Sequence, residues 1–277
     1  MRQEAAAAYI VQGRADGTSE GFGGFAEARP PKPHPDLDRQ WLCTMSDSDI
    51  DQHADRPDAP ARTVEVSIPP VGLAGSLRLP TPPRAVVVFA HGSGSSRLSP
   101  RNVYVAEALN RSGIATLLFD LLTSEEEADR ANVFDIPLLA ARLISALSWI
   151  SDAAETAGLR IGLFGASTGA AAALVAAATV GDRVGAVVSR GGRPDLADAA
   201  LEEVRAPTLL IVGGNDRDVL ALNRQALARL PASSELRVIP GASHLFPEPG
   251  ALDAVVAEAG AWFQQHLIAP TGSRPGD

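Results

Sequence analysis

The sequence predicts an α/β fold with a mostly parallel, doubly wound sheet that begins with an antiparallel hairpin. Three observations support this prediction: apolar residues alternate over residues 63–79, the run Ala85–Ala90 is continuously apolar, and strand and helix patterns then alternate to about residue 266. A continuous β-branched run is typical of a parallel strand buried on both faces. Repeated βα units place helices on both faces of such a sheet.

Each element follows from its hydrophobic period. The segments TVEVSIP and LAGSLRLP alternate as hairpin strands, short apolar runs predict the other strands, and apolar residues at helical spacing predict the helices. In chain order the further elements are strand Ala85–Ala90, helix Arg101–Arg111, strand Ile114–Phe119, helix Ile136–Ala153, strand Arg160–Phe164, helix Thr168–Thr179, strand Val184–Ser189, helix Asp198–Glu203, strand Thr208–Val212, helix Val219–Leu230, strand Glu235–Ile239 and helix Leu252–His266.

The predicted domain covers residues 61–268. Residues 1–60 are rich in Ala, Gly, Pro and Asp and show no persistent apolar period, so they bury too little surface to offset the entropy of ordering. We expect a disordered or non-native extension there, with Met45 as a candidate for the true start, and a flexible tail over residues 269–277. The segment between Ser189 and Pro207 is too short for a helical cap, so no lid domain is expected.

Composition limits the function. The net charge of −9 and the pI near 5.1 argue against nucleic acid or an anionic membrane as partner. The single cysteine, Cys43, excludes an intrachain disulfide and a thiolate zinc cluster, and we expect a cytoplasmic protein. Lys32 is the only lysine, so the folded part cannot form a Schiff base. We expect no cofactor and no metal, and interpret the acidic stretch TSEEEADR as a solvated face.

A serine lies between two glycines in the G-x-S-x-G element over residues 165–169. The element joins a predicted strand to a predicted helix. A serine on such a turn is held in a strained conformation with its hydroxyl exposed at the sheet edge, and its neighbours must be small. The alternative is an ordinary turn in which Ser167 caps the helix.

Candidate catalytic groups follow four predicted strands. In an open parallel sheet, chemistry collects at the carboxyl ends of the strands. The four segments at these ends are HGSGSS after Ala90, GASTG with Ser167, GGNDRD after Val212, and GASH ending at His244. Serine, aspartate and histidine therefore occur in the chain order of a hydrolase triad.

On these motifs, residues from about 62 to 268 resemble the α/β-hydrolase superfamily, nearest to its dienelactone-hydrolase-like branch. The resemblance and the chemistry assign Ser167 as nucleophile, His244 as base and Asp216 as the acid that orients the imidazole. The backbone N–H groups of Ser93 and Thr168 are expected to form the oxyanion hole. Dienelactone hydrolases proper use a cysteine nucleophile, so the lactone substrate is not carried over.

Alternatives stay open for several of these residues. Asp218 also follows the strand and is the rival acid, although the Gly-Gly-x-Asp pattern favours Asp216. His244 could be a surface turn histidine, and His91 is interpreted as a loop-ordering residue rather than a base.

Two arginines follow the strand that ends at Ser189. Arg190 and Arg193 could hold a substrate carboxylate. The alternative, which we favour, is a structural ion pair with Asp195 or with an acidic residue of the next helix.

The sequence thus predicts a serine hydrolase that cleaves small soluble carboxylic esters, with a small-molecule ester as its partner. An acyltransferase would use the same covalent step with another acceptor. A binding or receptor protein on a hydrolase scaffold is the alternative from a different class. No signal for an oligomeric state is present.

Overall fold

The computed structural model describes residues 61–268, and the predictions for residues 1–60 and 269–277 lie outside this range. Its strands are β1 Arg62–Ile68, β2 Leu73–Leu79, β3 Ala85–Ala90, β4 Ile114–Phe119, β5 Ile161–Ala166, β6 Val184–Arg190, β7 Thr208–Gly213 and β8 Glu235–Ile239. Its helices are α1 Pro100–Arg111, α2 Ser124–Ala128, α3 Arg130–Val133, α4 Ile136–Asp152, α5 Thr168–Val180, α6 Ala200–Glu203, α7 Arg217–Leu227 and α8 Ala251–Phe263.

The strands form one sheet in the order β1-β2-β4-β3-β5-β6-β7-β8. β1 and β2 form the antiparallel hairpin, and β2 also pairs antiparallel with β4. All later neighbours pair in parallel, so the carboxyl ends of β3, β5, β6, β7 and β8 lie at the same edge. The predicted fold class is confirmed, including the hairpin.

Each face of the sheet is covered by apolar helices. α4 and α5 pack on one face, where residues such as Leu143 and Leu174 are fully buried. α1 and α8 pack on the other face, where Val105 and Phe263 are fully buried. Six of the thirteen α5 residues are buried alanines, and these small side chains let the helix approach the sheet closely. None of the described helices is both long and apolar enough to cross a membrane.

Several element ends differ from the sequence prediction by one to three residues, and two connecting segments take a form that the prediction did not specify. α7 begins at Arg217 instead of Val219, because the chain enters the helix directly after the turn that follows β7. The stretch between β6 and β7 forms a 3₁₀ turn at Pro194–Ala197 and the four-residue α6, so no lid is built there. The acidic stretch forms α2 and α3, and Thr123 begins α2 with a complete capping box.

Candidate functional site

Ser167 lies on the turn between β5 and α5 in a strained backbone conformation. Its φ is 51° and its ψ is −120°, a combination that non-glycine residues rarely adopt. The Ser167 N–H donates to the Arg190 carbonyl at 3.3 Å, which attaches the turn to the end of β6. Such an outlier costs on the order of 1–3 kcal/mol and persists when the surrounding structure enforces it.

The glycines on either side of Ser167 allow the chain to fold back. A Cβ on Gly165 would lie 2.4 Å from the Ala170 Cα, and one on Gly169 would lie 2.3 Å from the Ala90 carbonyl oxygen. Both separations are shorter than van der Waals contact. The G-x-S-x-G spacing is therefore a packing requirement of the sharp turn between strand and helix.

The structure brings Asp216 and His244 into direct contact. The His244 Nδ1 lies 2.7 Å from the Asp216 Oδ2, and the carboxylate is the more buried partner, with side-chain exposures of 15% for Asp216 and 38% for His244. A carboxylate only accepts hydrogen bonds, so Nδ1 is the nitrogen that carries the proton. In the neutral ring, Nε2 is then the free acceptor, as a general base requires.

The loops that carry these two residues are bonded to each other. The Asn215 N–H donates to the Ala242 carbonyl at 2.9 Å, and its side-chain Nδ2 donates to the Gly241 carbonyl at 2.8 Å. The Glu248 Oε1 accepts from the Ser243 N–H at 2.9 Å within the histidine loop. The separation of Asp216 and His244 is therefore set by backbone contacts as well as by their own hydrogen bond.

His244 also lies against the strand end that supports Ser167. A Cβ on Gly191 would lie 2.9 Å from the His244 carbonyl oxygen and 3.6 Å from its Cε1. Gly191 has a φ of 51°, a second reason for glycine at this position. Within residues 61–268 no hydrogen bond joins the Ser167 hydroxyl to His244, and such catalytic contacts commonly tighten only when substrate binds.

Asp218 takes a different place. Its side chain is exposed in the first turn of α7 and forms no hydrogen bond or ion pair with any residue in the range 61–268. Of the two candidate acids, Asp216 is the one in contact with the imidazole.

The two residues of the expected oxyanion hole, Ser93 and Thr168, contact each other through a hydrogen bond that the sequence did not indicate. The Ser93 N–H donates to the Thr168 Oγ1 at 2.9 Å, so this amide is already engaged. The Thr168 N–H lies at the first position of α5 and has no acceptor within its helix. Thr168 is only 5% exposed, and sequence reasoning did not identify its hydroxyl.

His91 links the loop after β3 to the loop after β4. Both of its ring nitrogens are engaged, so neither is free to act as a general base. Its Nδ1 lies 3.0 Å from the Gly92 carbonyl, and its Nε2 accepts from the Leu121 N–H at 3.1 Å. Burial lowers the pKa of His91, which keeps the ring neutral and both nitrogens engaged. A second link joins the same loops. Arg97 donates to the Asp120 carboxylate from its backbone N–H at 2.8 Å and from its side-chain Nη1 at 2.7 Å.

A small cavity of about 20 Å³ lies beside the loop that follows β3. Its apolar wall includes Leu121, Leu122, Val133 and Leu139, and polar groups of the β3 loop, Asp120 and Glu127 complete it. The cavity therefore combines an apolar wall with the segment that carries the Ser93 amide.

The two arginines after β6 have different surroundings. Arg193 donates to both oxygens of Asp195, at 2.8 and 2.7 Å, which is the ion pair given as the alternative. Arg190 is 7% exposed, and its Nη2 lies 3.3 Å from the Asn102 Oδ1. Residues 61–268 contain no cluster of three or more His, Cys, Asp or Glu side chains able to hold a metal ion.

A model of the dienelactone hydrolase family matches residues 73–267. The crystal structure of a dienelactone hydrolase from Anabaena variabilis is 56% identical, with a TM-score of 0.71 over 75% of this chain and 98% of that one. A 2,6-dihydroxy-pseudo-oxynicotine hydrolase, 20% identical with a TM-score of 0.59 over 78% of this chain and 71% of that one, shares the fold.

Curated relatives carry a different name. A putative phosphoribosyl transferase from Mycobacterium tuberculosis is 54% identical over 251 residues, which are 91% of this chain and 56% of the relative. The chain thus spans about half the length of the curated relatives it matches.

Proposed function

The chain belongs to the dienelactone hydrolase family and has the α/β-hydrolase fold, and from this premise we propose that it cleaves small carboxylic esters through an acyl-enzyme on Ser167. The observation that carries the proposal is the contact between Asp216 and His244 beside the strained turn of Ser167. As a member of this family the chain is a hydrolase; the ester substrate and the triad are the proposal.

In the proposed reaction, the Ser167 oxygen attacks the ester carbonyl while the His244 Nε2 takes its proton. Asp216 holds the other ring nitrogen and stabilises the imidazolium. Collapse of the tetrahedral intermediate breaks the bond to the alcohol, which leaves with the proton from Nε2. Water then attacks the acyl-enzyme, the same nitrogen takes the proton of that water and returns it to the Ser167 oxygen, and the carboxylic acid is released.

The cavity beside the β3 loop indicates the size of substrate. The cavity is small, because its volume of about 20 Å³ has room for little more than one water molecule. The leucines of its wall favour a short apolar acyl or alcohol group, and within residues 61–268 the segment between β6 and β7 builds no lid. These features support small esters in preference to long-chain lipids.

The strained conformation of Ser167 favours an enzyme over a binding protein on the same scaffold. A backbone outlier costs stability, so its persistence at a nucleophile position indicates a use for the serine. The name phosphoribosyl transferase describes relatives of which the chain covers 56%, and no contact of the described residues supports that activity here.

A fluorophosphonate probe tests the proposal on the full chain. We expect covalent labelling of the peptide that contains Ser167, because the probe reacts with a serine activated by a neighbouring base. Labelling should disappear in denatured protein and should be slowed by a competing ester. Folded protein that leaves Ser167 unlabelled would contradict the enzymatic proposal, whereas an added alcohol that captures the acyl group faster than water would indicate an acyltransferase.

The Thr168 hydroxyl gives a second prediction. It accepts from the Ser93 N–H, and a hydroxyl has one proton left to donate. We expect Thr168→Val to lower kcat by about 100-fold or more with little change in KM, because removing one oxyanion donor costs on the order of 10²–10³ in kcat. The measurement is steady-state hydrolysis of para-nitrophenyl acetate.

Thr168→Ser is the matched variant, because it keeps the hydroxyl and loses only a methyl group. We expect it to retain most of the activity and to bind a boronic acid transition-state analogue as tightly as the parent, whereas the valine variant binds it more weakly. An unchanged or increased kcat in Thr168→Val would mean that the hydroxyl only occupies the Ser93 amide in the resting protein.

A further inference from the structure

Arg190 is a buried cation without a counter-ion in the described part of the chain. It is 7% exposed, and its Nε and Nη1 atoms have no hydrogen-bond partner. Its one side-chain hydrogen bond goes to the neutral Asn102 Oδ1 at 3.3 Å. Within residues 61–268 no Asp or Glu oxygen lies within 4.0 Å of the Arg190 guanidinium nitrogens. Burying a charge without a partner is strongly unfavourable, so this arrangement needs an explanation.

A second arginine adds to the positive charge. Arg101 lies one residue before Asn102 in α1, and its Nε is also buried without a partner among residues 61–268. Burial and the nearby Arg101 charge lower the pKa of Arg190 to about 10, so Arg190 remains cationic at neutral pH. Two like charges side by side are less favourable than either alone.

The start of α1 adds further positive charge near these two arginines. Its N-cap residue Ser99 makes no side-chain capping bond, and its first turn contains no acidic residue. The N-terminus of a 12-residue helix carries partial positive charge and unpaired N–H groups. Arg101 lies in this first turn, where a carboxylate would normally be favoured.

We propose that Arg101, Arg190 and the first turn of α1 form a binding site for one small anion, a carboxylate or phosphate group, next to the reacting edge of the sheet. A guanidinium matches either oxyanion through paired N–H donors, and the start of a helix supplies further donors. The anion provides the counter-charge that the described residues lack.

The site adjoins the proposed catalytic residues through the backbone. The carbonyl of Arg190 accepts from the Ser167 N–H, and the next residue, Gly191, packs against His244. The anionic group has two sources: it is either part of the ester substrate or a free ion. The substrate source rests on the proposed esterase function, whereas binding of a free ion does not.

The first arm of the test measures binding without catalysis. The full chain is titrated with inorganic phosphate and with acetate by calorimetry, and its Tm is followed at constant ionic strength. We expect saturable binding and a raised Tm in the parent, and loss of both effects in Arg101→Gln. This arginine is only half-buried, so its replacement leaves the core intact. Arg190→Lys keeps a charge but not the paired donors and should weaken binding at least tenfold.

The matched control is Arg224→Gln, which removes an equal charge from an exposed position on α7 and should bind as the parent does. The second arm compares para-nitrophenyl hydrogen succinate, which carries a carboxylate, with the neutral para-nitrophenyl butanoate. If the anion belongs to the substrate, the parent prefers the charged ester by at least tenfold in kcat/KM, and Arg101→Gln removes that preference.

The outcomes are distinct. Saturable phosphate or acetate binding with no preference between the esters supports a free-ion site, and a preference that depends on Arg101 supports a substrate site. If neither ester is hydrolysed, the proposed function fails while the binding arm still decides the anion site. Absence of both saturable binding and ester preference, or equal effects of Arg101→Gln and Arg224→Gln, overturns the proposal.

Discussion

Replacing Ser167 with alanine is expected to abolish hydrolysis of para-nitrophenyl acetate, with a loss in kcat on the order of 10⁴–10⁶. Alanine lacks the side-chain oxygen that would attack the ester carbonyl, so the proposed acyl-enzyme cannot form at this position. Alanine meets the same backbone strain as serine, so the Tm should change little. Steady-state kinetics and a thermal melt measure the two effects.

A matched control separates the nucleophile from an effect on folding. Ser145→Ala removes a hydroxyl that donates only to the Ala141 carbonyl within α4, among residues 61–268. It should retain full activity. A loss of tenfold or less in Ser167→Ala would show that the serine does not form the acyl-enzyme.

Asp216→Asn is expected to lower kcat by about 10⁴. The amide keeps the size of the side chain but does not stabilise the imidazolium, and its NH₂ group can hold the ring in the wrong tautomer. Because His244 contacts the carboxylate at 2.7 Å, the effect should appear in kcat rather than in KM. The pH dependence of kcat and the Tm complete the measurement.

Asp218→Asn is the matched comparison, since it makes the same chemical change two residues away. Its side chain is exposed and has no partner among residues 61–268, so both rate and stability should stay close to those of the parent. Because α7 begins at Arg217, Asp216 and not Asp218 occupies its N-cap position. The opposite kinetic pattern in the two variants would make Asp218 the acid.

Much of the fold follows from local patterns. The runs of β3, β4 and β8 have the predicted bounds, because continuous or alternating apolar residues are bounded by glycine, proline or polar residues. β5 and β6 extend beyond their predicted ends to Ala166 and Arg190, since backbone pairing between the two strands continues where their apolar pattern has stopped.

The candidate site is predictable only in part. Ser167, Asp216 and His244 follow strand ends, and parallel pairing places those ends at one edge. The contact of Thr168 with Ser93 joins residues 75 positions apart and depends on side-chain rotamers, so no local pattern indicates it. The burial of Arg190 beside Asn102 likewise arises from how α1 packs on the sheet, which composition and spacing do not determine.

The apolar wall of the cavity has a consequence for how this protein could acquire new substrates. Leu121, Leu122 and Val133 come from the segment between β4 and α4 and Leu139 from the start of α4, whereas the proposed triad residues follow β5, β7 and β8. In the proposed enzyme, the apolar wall and the triad are therefore encoded in separate stretches of the gene. A library randomised only at Leu122 and Val133 could reshape this cavity while every strand end that carries a proposed triad residue keeps its parental sequence.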